Sequence, residues 1–172
     1  MEDNVKLEDD VRLSFEQLYD LYATDVLRVS YYYLGNRETA EDVTQDVFVR
    51  YLTSAPCLER GKEKAWLFKV ALNRCRDLWR SSWVKKVVLG HPSFESFPAP
   101  DDIGRIAEDY SVADAVSQLK PEFKEAVLLF YYQGFSVSEI SEILQVAEGT
   151  VSSRLSRARD RLKKTLERSL WP

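Results

Sequence analysis

The chain has 172 residues, with 24 Lys and Arg against 28 Asp and Glu and a formal charge of −4 at pH 7. Apolar residues make up 45% and aromatic ones 12%, too much core-forming material for a disordered chain and enough for one ordinary domain or two small ones. No apolar run approaches the roughly 18 residues that span a bilayer, and the acidic start MEDNVKLEDD is unlike a secretory signal, so an intracellular protein is expected.

The single histidine, His91, excludes a histidine-rich metal site and a catalytic histidine pair. Cys57 and Cys75 stand apart from any CxxC pair and are expected to be small buried or half-buried thiols. Neither GxxxxGK(S/T) nor GxGxxG occurs, so no phosphate-cradling loop is present and no cofactor is implied. The acidic total hides a segregation: residues 61 to 90 hold 8 basic and 2 acidic side chains, and residues 151 to 172 hold 7 and 2. Two basic islands in an acidic body let a polyanion be gripped at two separate places.

In chain order, SFEQLYDLYATDVLRVSYYYLG spaces Phe15, Leu18, Leu21, Tyr22, Val26, Leu27 and Val29 as one face of a first helix ending near Gly35. A second helix starts at about Asn36 and Arg37, with Glu38, Glu41 and Asp42 in its first turns, where the helix dipole favours acids. Val43, Val47, Phe48 and Tyr51 fall on its inner side; Asp42, Gln45, Asp46 and Val49 fall on the other. A valine among acids and an amide suits a protein contact as well as it suits a merely solvated face.

The third helix, about Glu63 to Trp83, carries large residues on both faces. Leu67, Phe68, Ala71, Leu72, Cys75, Leu78 and Trp79 form a wide inner face, and Trp66, Lys69, Val70, Asn73, Arg74, Arg76, Asp77 and Arg80 lie opposite. Charge for phosphate, a flat ring for a base and an amide for a base edge are what single-stranded nucleic acid needs. Next, VLGHPSFESFPAPDDIGRIAEDY, rich in Pro and Gly and without periodicity, is a linker of about 25 residues.

Beyond it, a helix opens near Pro121 and closes at Gly134. Ser136 and Glu139 form a capping box for a helix with Val137, Ile140, Ile143 and Leu144 inward. The turn Gln145 to Gly149 leads to a longer helix from about Thr150, so the pair reads as a helix-turn-helix. Val151, Leu155, Ala158 and Leu162 of that last helix point inward; Ser153, Ser156, Arg157 and Asp160 point outward with Ser152 at their edge, flanked by Arg154, Arg159 and Arg161. Short polar groups and an Arg in the centre with cations at the sides suit base edges and phosphates. The expected fold is all-α: two small helical domains, at about 10 to 84 and 111 to 171, joined by a flexible linker at about 85 to 110, the second domain a helix-turn-helix.

With AEDVTQDVFVRYL and AWLFKVALNRCRDLWRSS in its first half and LKPEFKEAVLLFYYQGFSVSEISEILQVAEGTVSSRLSRARDRLKKTL in its second, the chain resembles a bacterial sigma factor of the extracytoplasmic-function group, in the sigma-70 family. The resemblance covers nearly the whole chain and implies a non-enzymatic factor that binds core RNA polymerase, melts the minus-ten element with its first domain and reads the minus-thirty-five element with its second. Asp42, Gln45, Asp46 and Val49 match the family helix that docks on the β′ clamp helices; the β flap is the other implied polymerase contact. Trp66, Lys69, Asn73, Arg74, Arg76, Asp77 and Arg80 match the minus-ten helix, Asn73 being the asparagine of the WLxxxAxN pattern, and the loop Ser54 to Lys64 matches the one that pockets a flipped base.

In the second domain the resemblance gives Ser152, Ser153, Ser156 and Arg157 to bases and Thr150, Arg154 and Arg159 to phosphates. It implies that the linker threads toward the polymerase active centre, where Asp101, Asp102, Glu108 and Asp109 would be repelled by RNA. It also implies a cytoplasmic, nucleoid-associated protein and an anti-sigma partner, commonly membrane-anchored. Two departures stand out: SSWVKKVVLG is only lightly charged where the family often has a longer basic run, and Ser152 and Ser156 are small, which leaves readout to Arg157, water or DNA shape. The alternative is a stand-alone helix-turn-helix regulator, which the acidic net charge disfavours.

Overall fold

The computed structural model describes residues 13–54, 56–89 and 110–170, with residues 83–89, 110–111 and 168–170 described by their backbone alone. Among the described residues every regular element is helical. Helix α1, Phe15–Leu34, starts with a reciprocal cap in which Ser14 Oγ accepts from Gln17 N at 3.2 Å and Gln17 Oε1 accepts from Ser14 N at 2.8 Å. It stops at Gly35, whose φ of 69° is left-handed and suits a residue without Cβ. Helix α2, Arg37–Ser54, starts where the sequence placed it, with Asn36 Oδ1 accepting from Thr39 N at 2.8 Å.

Helix α3, Glu63–Leu89, runs past the expected end near Trp83. Nothing from Trp83 to Leu89 breaks a helix; the first breaker is Gly90, so the backbone continues into what the sequence suggested was linker. The second half begins with α4, Tyr110–Ser117, followed by α5, Pro121–Val127, with its proline at the first helical position. The backbone of α5 then widens into a π-helical turn, Leu128–Tyr132, before Gly134 turns it at φ 72°. Helices α6, Val137–Leu144, and α7, Glu148–Leu170, complete the fold. The turn between them is shorter than Gln145 to Gly149, because Gln145 takes the left-handed conformation at φ 55° and α7 starts already at Glu148.

The periodic faces pack as expected in most places. Val26, Val29, Val43, Val47, Phe48, Leu67, Phe68, Ala71 and Leu72 are buried between α1, α2 and α3; Ile140, Ile143, Leu144, Val151, Leu155 and Ala158 are buried between α6 and α7. Three expectations fail. Leu21 and Trp79, placed on inner faces by spacing, are exposed, and Cys57 lies exposed in the loop before α3. Leu21 and Trp79 fit the helical period, but burial needs an opposing element as well as a period.

The two helical domains pack against each other. Their cores merge into one cluster, with Phe68 of α3 edge-on to Phe135 at 5.8 Å and Tyr32 of α1 against Tyr132 at 5.6 Å. The π turn helps to set this geometry: its extra residue per turn leaves Tyr131 exposed while Tyr132 meets α1.

Candidate nucleic-acid interface

On α2, Asp42 and Gln45 are exposed and Val49 is 55% exposed, with Leu52 one turn further on also exposed. Asp46 is half-buried, because Arg74 Nε of α3 donates to its Oδ2 at 3.0 Å. The acidic face of α2 and the cationic face of α3 therefore share an edge, and this ion pair joins two residues that the sequence assigned to different partners.

On α3, Asn73, Asp77 and Arg80 are exposed, while Trp66, Lys69 and Arg74 are half-buried. Trp66 stacks edge-on against Tyr51 of α2 at 5.6 Å, so its ring is held in place by α2. Arg76 is not open to solvent as expected. It lies at the edge of the apolar stripe, and both of its forked donors go to Glu125 of α5: Nε to Oε1 at 2.6 Å and Nη2 to Oε2 at 2.7 Å. A third donor, Nη1, reaches Asn73 Oδ1 at 3.1 Å. Hydrogen bonding to Glu125 holds the guanidinium above its ordinary pKa.

Glu125 is itself buried and also accepts from Tyr33 Oη at 3.2 Å. Burial first, and then the Glu125 charge, push the Tyr33 phenol far above the usual tyrosine range. Burial likewise pushes the Cys75 thiol up to about 12, which leaves it an inert core group. Two lysines at the start of α3 meet the second half as well. Lys64 Nζ donates to the Gln133 carbonyl at 2.7 Å and lies 4.8 Å from the Phe135 ring, and Lys62 Nζ is 3.3 Å from Glu142 Oε2.

In the helix-turn-helix the capping box is present: Ser136 Oγ accepts from Glu139 N at 3.2 Å, and Glu139 Oε2 accepts from Ser136 N at 2.8 Å. These bonds from Ser136 lower the Glu139 pKa. The cap fixes the start of α6, whose buried Ile140, Ile143 and Leu144 seat α7. Outward on α7, Ser152, Ser153, Ser156, Arg157 and Asp160 are exposed, with Thr150 and Arg154 half-buried beside them. Arg159 Nη1 donates to Tyr131 Oη at 3.3 Å, and Arg161 stacks over the Phe123 ring at 5.0 Å, so these two flanking cations have partners within the domain.

The structure thus keeps the α7 set on one exposed face and the α2 set on another, and turns Arg76 away from the rest of its set. Sequence reasoning missed Lys62, Glu125, Gln133 and Glu142, because no periodicity pairs residues 49 to 80 positions apart. His91, Asp101, Asp102, Glu108 and Asp109 lie outside the described residues. Among the described residues no cluster of His, Cys, Asp and Glu could hold a metal, and no helix is long and apolar enough to cross a membrane.

Comparison with known proteins gives a consistent result. The family model for Sigma-70 region 2 matches residues 18–84, and that for Sigma-70 region 4 matches residues 110–162. The ECF RNA polymerase sigma factor SigL of Mycobacterium tuberculosis is 34% identical over 155 residues, which is 87% of each chain. The ECF RNA polymerase sigma factor SigE of Mycolicibacterium smegmatis is 32% identical over 157 residues, and the match spans 60% of that longer protein. Among solved structures, the sigma factor RpoE of Bartonella quintana, in complex with the anti-sigma factor NepR, superposes with a TM-score of 0.77 at 27% identity, covering 89% of this chain and 96% of that one.

Proposed function

The chain belongs to the extracytoplasmic-function group of the sigma-70 family, factors that bind core RNA polymerase and direct promoter-specific initiation, and we propose how its residues divide that work. The family brings no catalytic group of its own; the polymerase makes the phosphodiester bonds. Asp42, Gln45, Asp46 and Val49 of α2 dock on the polymerase clamp. Trp66, Lys69, Asn73, Arg74, Asp77 and Arg80 of α3 meet the melted minus-ten strand, whereas Arg76 of the same set is held by Glu125. On α7, Ser152, Ser153, Ser156 and Arg157 face bases of the minus-thirty-five duplex, and Thr150, Arg154 and Arg159 face its phosphates.

One observation carries this division. The outer face of α2 presents an exposed valine ringed by Asp42, Gln45 and Asp46, an apolar centre in an acidic rim. DNA phosphates would be repelled by that rim, whereas a basic protein surface would be attracted to it and could bury Val49. A stand-alone regulator has no use for such a face, and that alternative is not favoured.

The RpoE neighbour was solved with an anti-sigma factor, which supports such a partner for this chain as well. We place the protein in the cytoplasm, on the nucleoid when active and at the membrane when a membrane-anchored partner holds it. Val49→Asp tests the docking face. Val49 is on the surface, so the fold should survive, and affinity for core polymerase should fall about tenfold or more. Unchanged affinity would remove α2 as the docking element.

A further inference from the structure

Of the residues in the π turn, Leu128 and Leu129 are buried, Phe130 and Tyr132 are half-buried, and Tyr131 is 52% exposed. The ring of Tyr131 is nevertheless held. Phe130 packs edge-on against it at 5.0 Å, and its hydroxyl accepts from Arg159 Nη1 of α7 at 3.3 Å. At about 100° per residue along α7, Arg154 and Arg161 lie on one side of the outward set, and Arg159 lies on the other, beside Ser152 and Ser156. A helix in the major groove has a row of phosphates on each side of it. Of the three flanking arginines, Arg159 is the one that meets the second row, and Tyr131 stands next to it.

We propose that Tyr131 and Arg159 together hold one phosphate of the minus-thirty-five duplex, so that a residue outside the helix-turn-helix helps to seat α7 in the groove. The inference rests on the assignment of α7 to duplex DNA and adds to it a contact that no residue of α7 supplies. A phenol that accepts from a guanidinium keeps its own proton to donate, and the bond from a cation polarises that O–H. Arg159 gives one N–H to Tyr131 and turns the others of its fork toward the anion. The two donor atoms are close enough for the unesterified oxygens of a single phosphate to accept from both.

A phosphate contact carries no sequence information; it fixes register and orientation. Tyr131 belongs to the π turn after α5, so the phosphate it holds ties the seating of α7 to a second element of the domain. The π turn sets this up, because its wider backbone sends Tyr132 to α1 and leaves Tyr131 beside Arg159.

The test uses the full chain without polymerase and a fluorescein-labelled duplex of about 30 base pairs and mixed sequence, since a phosphate contact is independent of sequence. Fluorescence anisotropy at a series of salt concentrations gives both the affinity and its salt dependence. Tyr131→Phe removes one exposed oxygen, so thermal unfolding should stay at the wild-type value. Duplex affinity should fall about fivefold with an unchanged salt slope, because no charge is lost. Arg159→Ala should weaken binding at least as much and lower the slope by about 0.9. Since both donors act on one phosphate, the double variant should bind no more than about twofold worse than Arg159→Ala.

Arg157→Ala, in the centre of the outward face, should also weaken binding and shows that α7 is what grips the duplex. Weakened binding in Arg157→Ala with wild-type affinity in Tyr131→Phe would overturn the phosphate site and leave the assignment of α7 standing. Wild-type affinity in both would overturn the two together. Losses in Tyr131→Phe and Arg159→Ala that simply add would place the residues on separate phosphates and overturn the shared site. A loss in Tyr131→Phe matched by a lower unfolding temperature would overturn it as well, since the tyrosine would then be only a brace.

Discussion

Lys124 offers a demanding test of the packing between the two halves. It is 7% exposed, its Nζ lies 3.4 Å from the Tyr33 carbonyl oxygen and 5.9 Å from the Tyr33 ring, and the neighbouring Glu125 carboxylate is already taken by Arg76 and Tyr33. Burial pulls its pKa from 10.5 down to about 8. In the unfolded chain the ordinary value returns, so between about pH 8 and 10.5 the unfolded state binds more protons and stability rises with pH. Below about pH 8 the ammonium is charged in both states and its full burial cost is felt. At about 1.4 kcal/mol per pKa unit, that cost is on the order of 3 kcal/mol.

Methionine keeps the length of the chain and removes the charge; the long hydrogen bond it forfeits is worth about 1 kcal/mol. Lys124→Met should therefore raise the unfolding free energy by about 2 kcal/mol near pH 7, and the gain should shrink toward zero near pH 10. Urea denaturation of both proteins at several pH values between about 7 and 9.5, read as the difference between them, isolates Lys124. Burial also raises Tyr31, Tyr32 and Tyr132 above 10.0, and they titrate alike in both proteins. A variant less stable than wild type near neutral pH, or a difference that does not change with pH, would refute the reasoning.

The other predictions concern the reading helices. Arg157 is exposed opposite the buried Val151, Leu155 and Ala158, so Arg157→Ala should leave stability within about 0.5 kcal/mol. It should cost about 1 to 3 kcal/mol at one minus-thirty-five position, measured on a set of single-base promoter variants; uniform loss across the set would make it a phosphate contact. Ser136→Ala removes the cap of α6 and should cost about 1 kcal/mol in thermal unfolding. It should also lessen, without abolishing, the loss of stability that Glu139 contributes as pH falls through its lowered pKa, because the backbone N–H of residue 136 still donates to that carboxylate; an unchanged acid limb would show that the Ser136 hydroxyl does not help to hold it. Asn73→Ala should slow strand opening, followed by permanganate footprinting, more than it weakens initial promoter binding, and equal damage to both would contradict its assignment to the melted strand.

Much of the fold was legible because helices announce themselves by a local period. The inward sets of α2, α6 and α7 could be read off the spacing, and so could the Ser136 capping box, since cap and period involve residues within a few positions of each other. The failures share one cause. Leu21 and Trp79 have the right phase but no opposing element among the described residues to bury them, the π turn after α5 follows no local pattern in LLFYY, and the Arg76–Glu125 fork joins residues 49 positions apart. The same holds at the candidate site: α7 shows an outward set that the sequence could sort, whereas the masking of Lys62, Lys64 and Arg76 is a tertiary event that no helical wheel contains.

The most direct measurement is run-off transcription with bacterial core RNA polymerase and genomic fragments, including the one upstream of this chain's own gene. Discrete transcripts that need both the protein and the polymerase, and that disappear with Val49→Asp, are the predicted result. Sequence-specific duplex binding by the protein alone, with no transcript in any mixture, would contradict it.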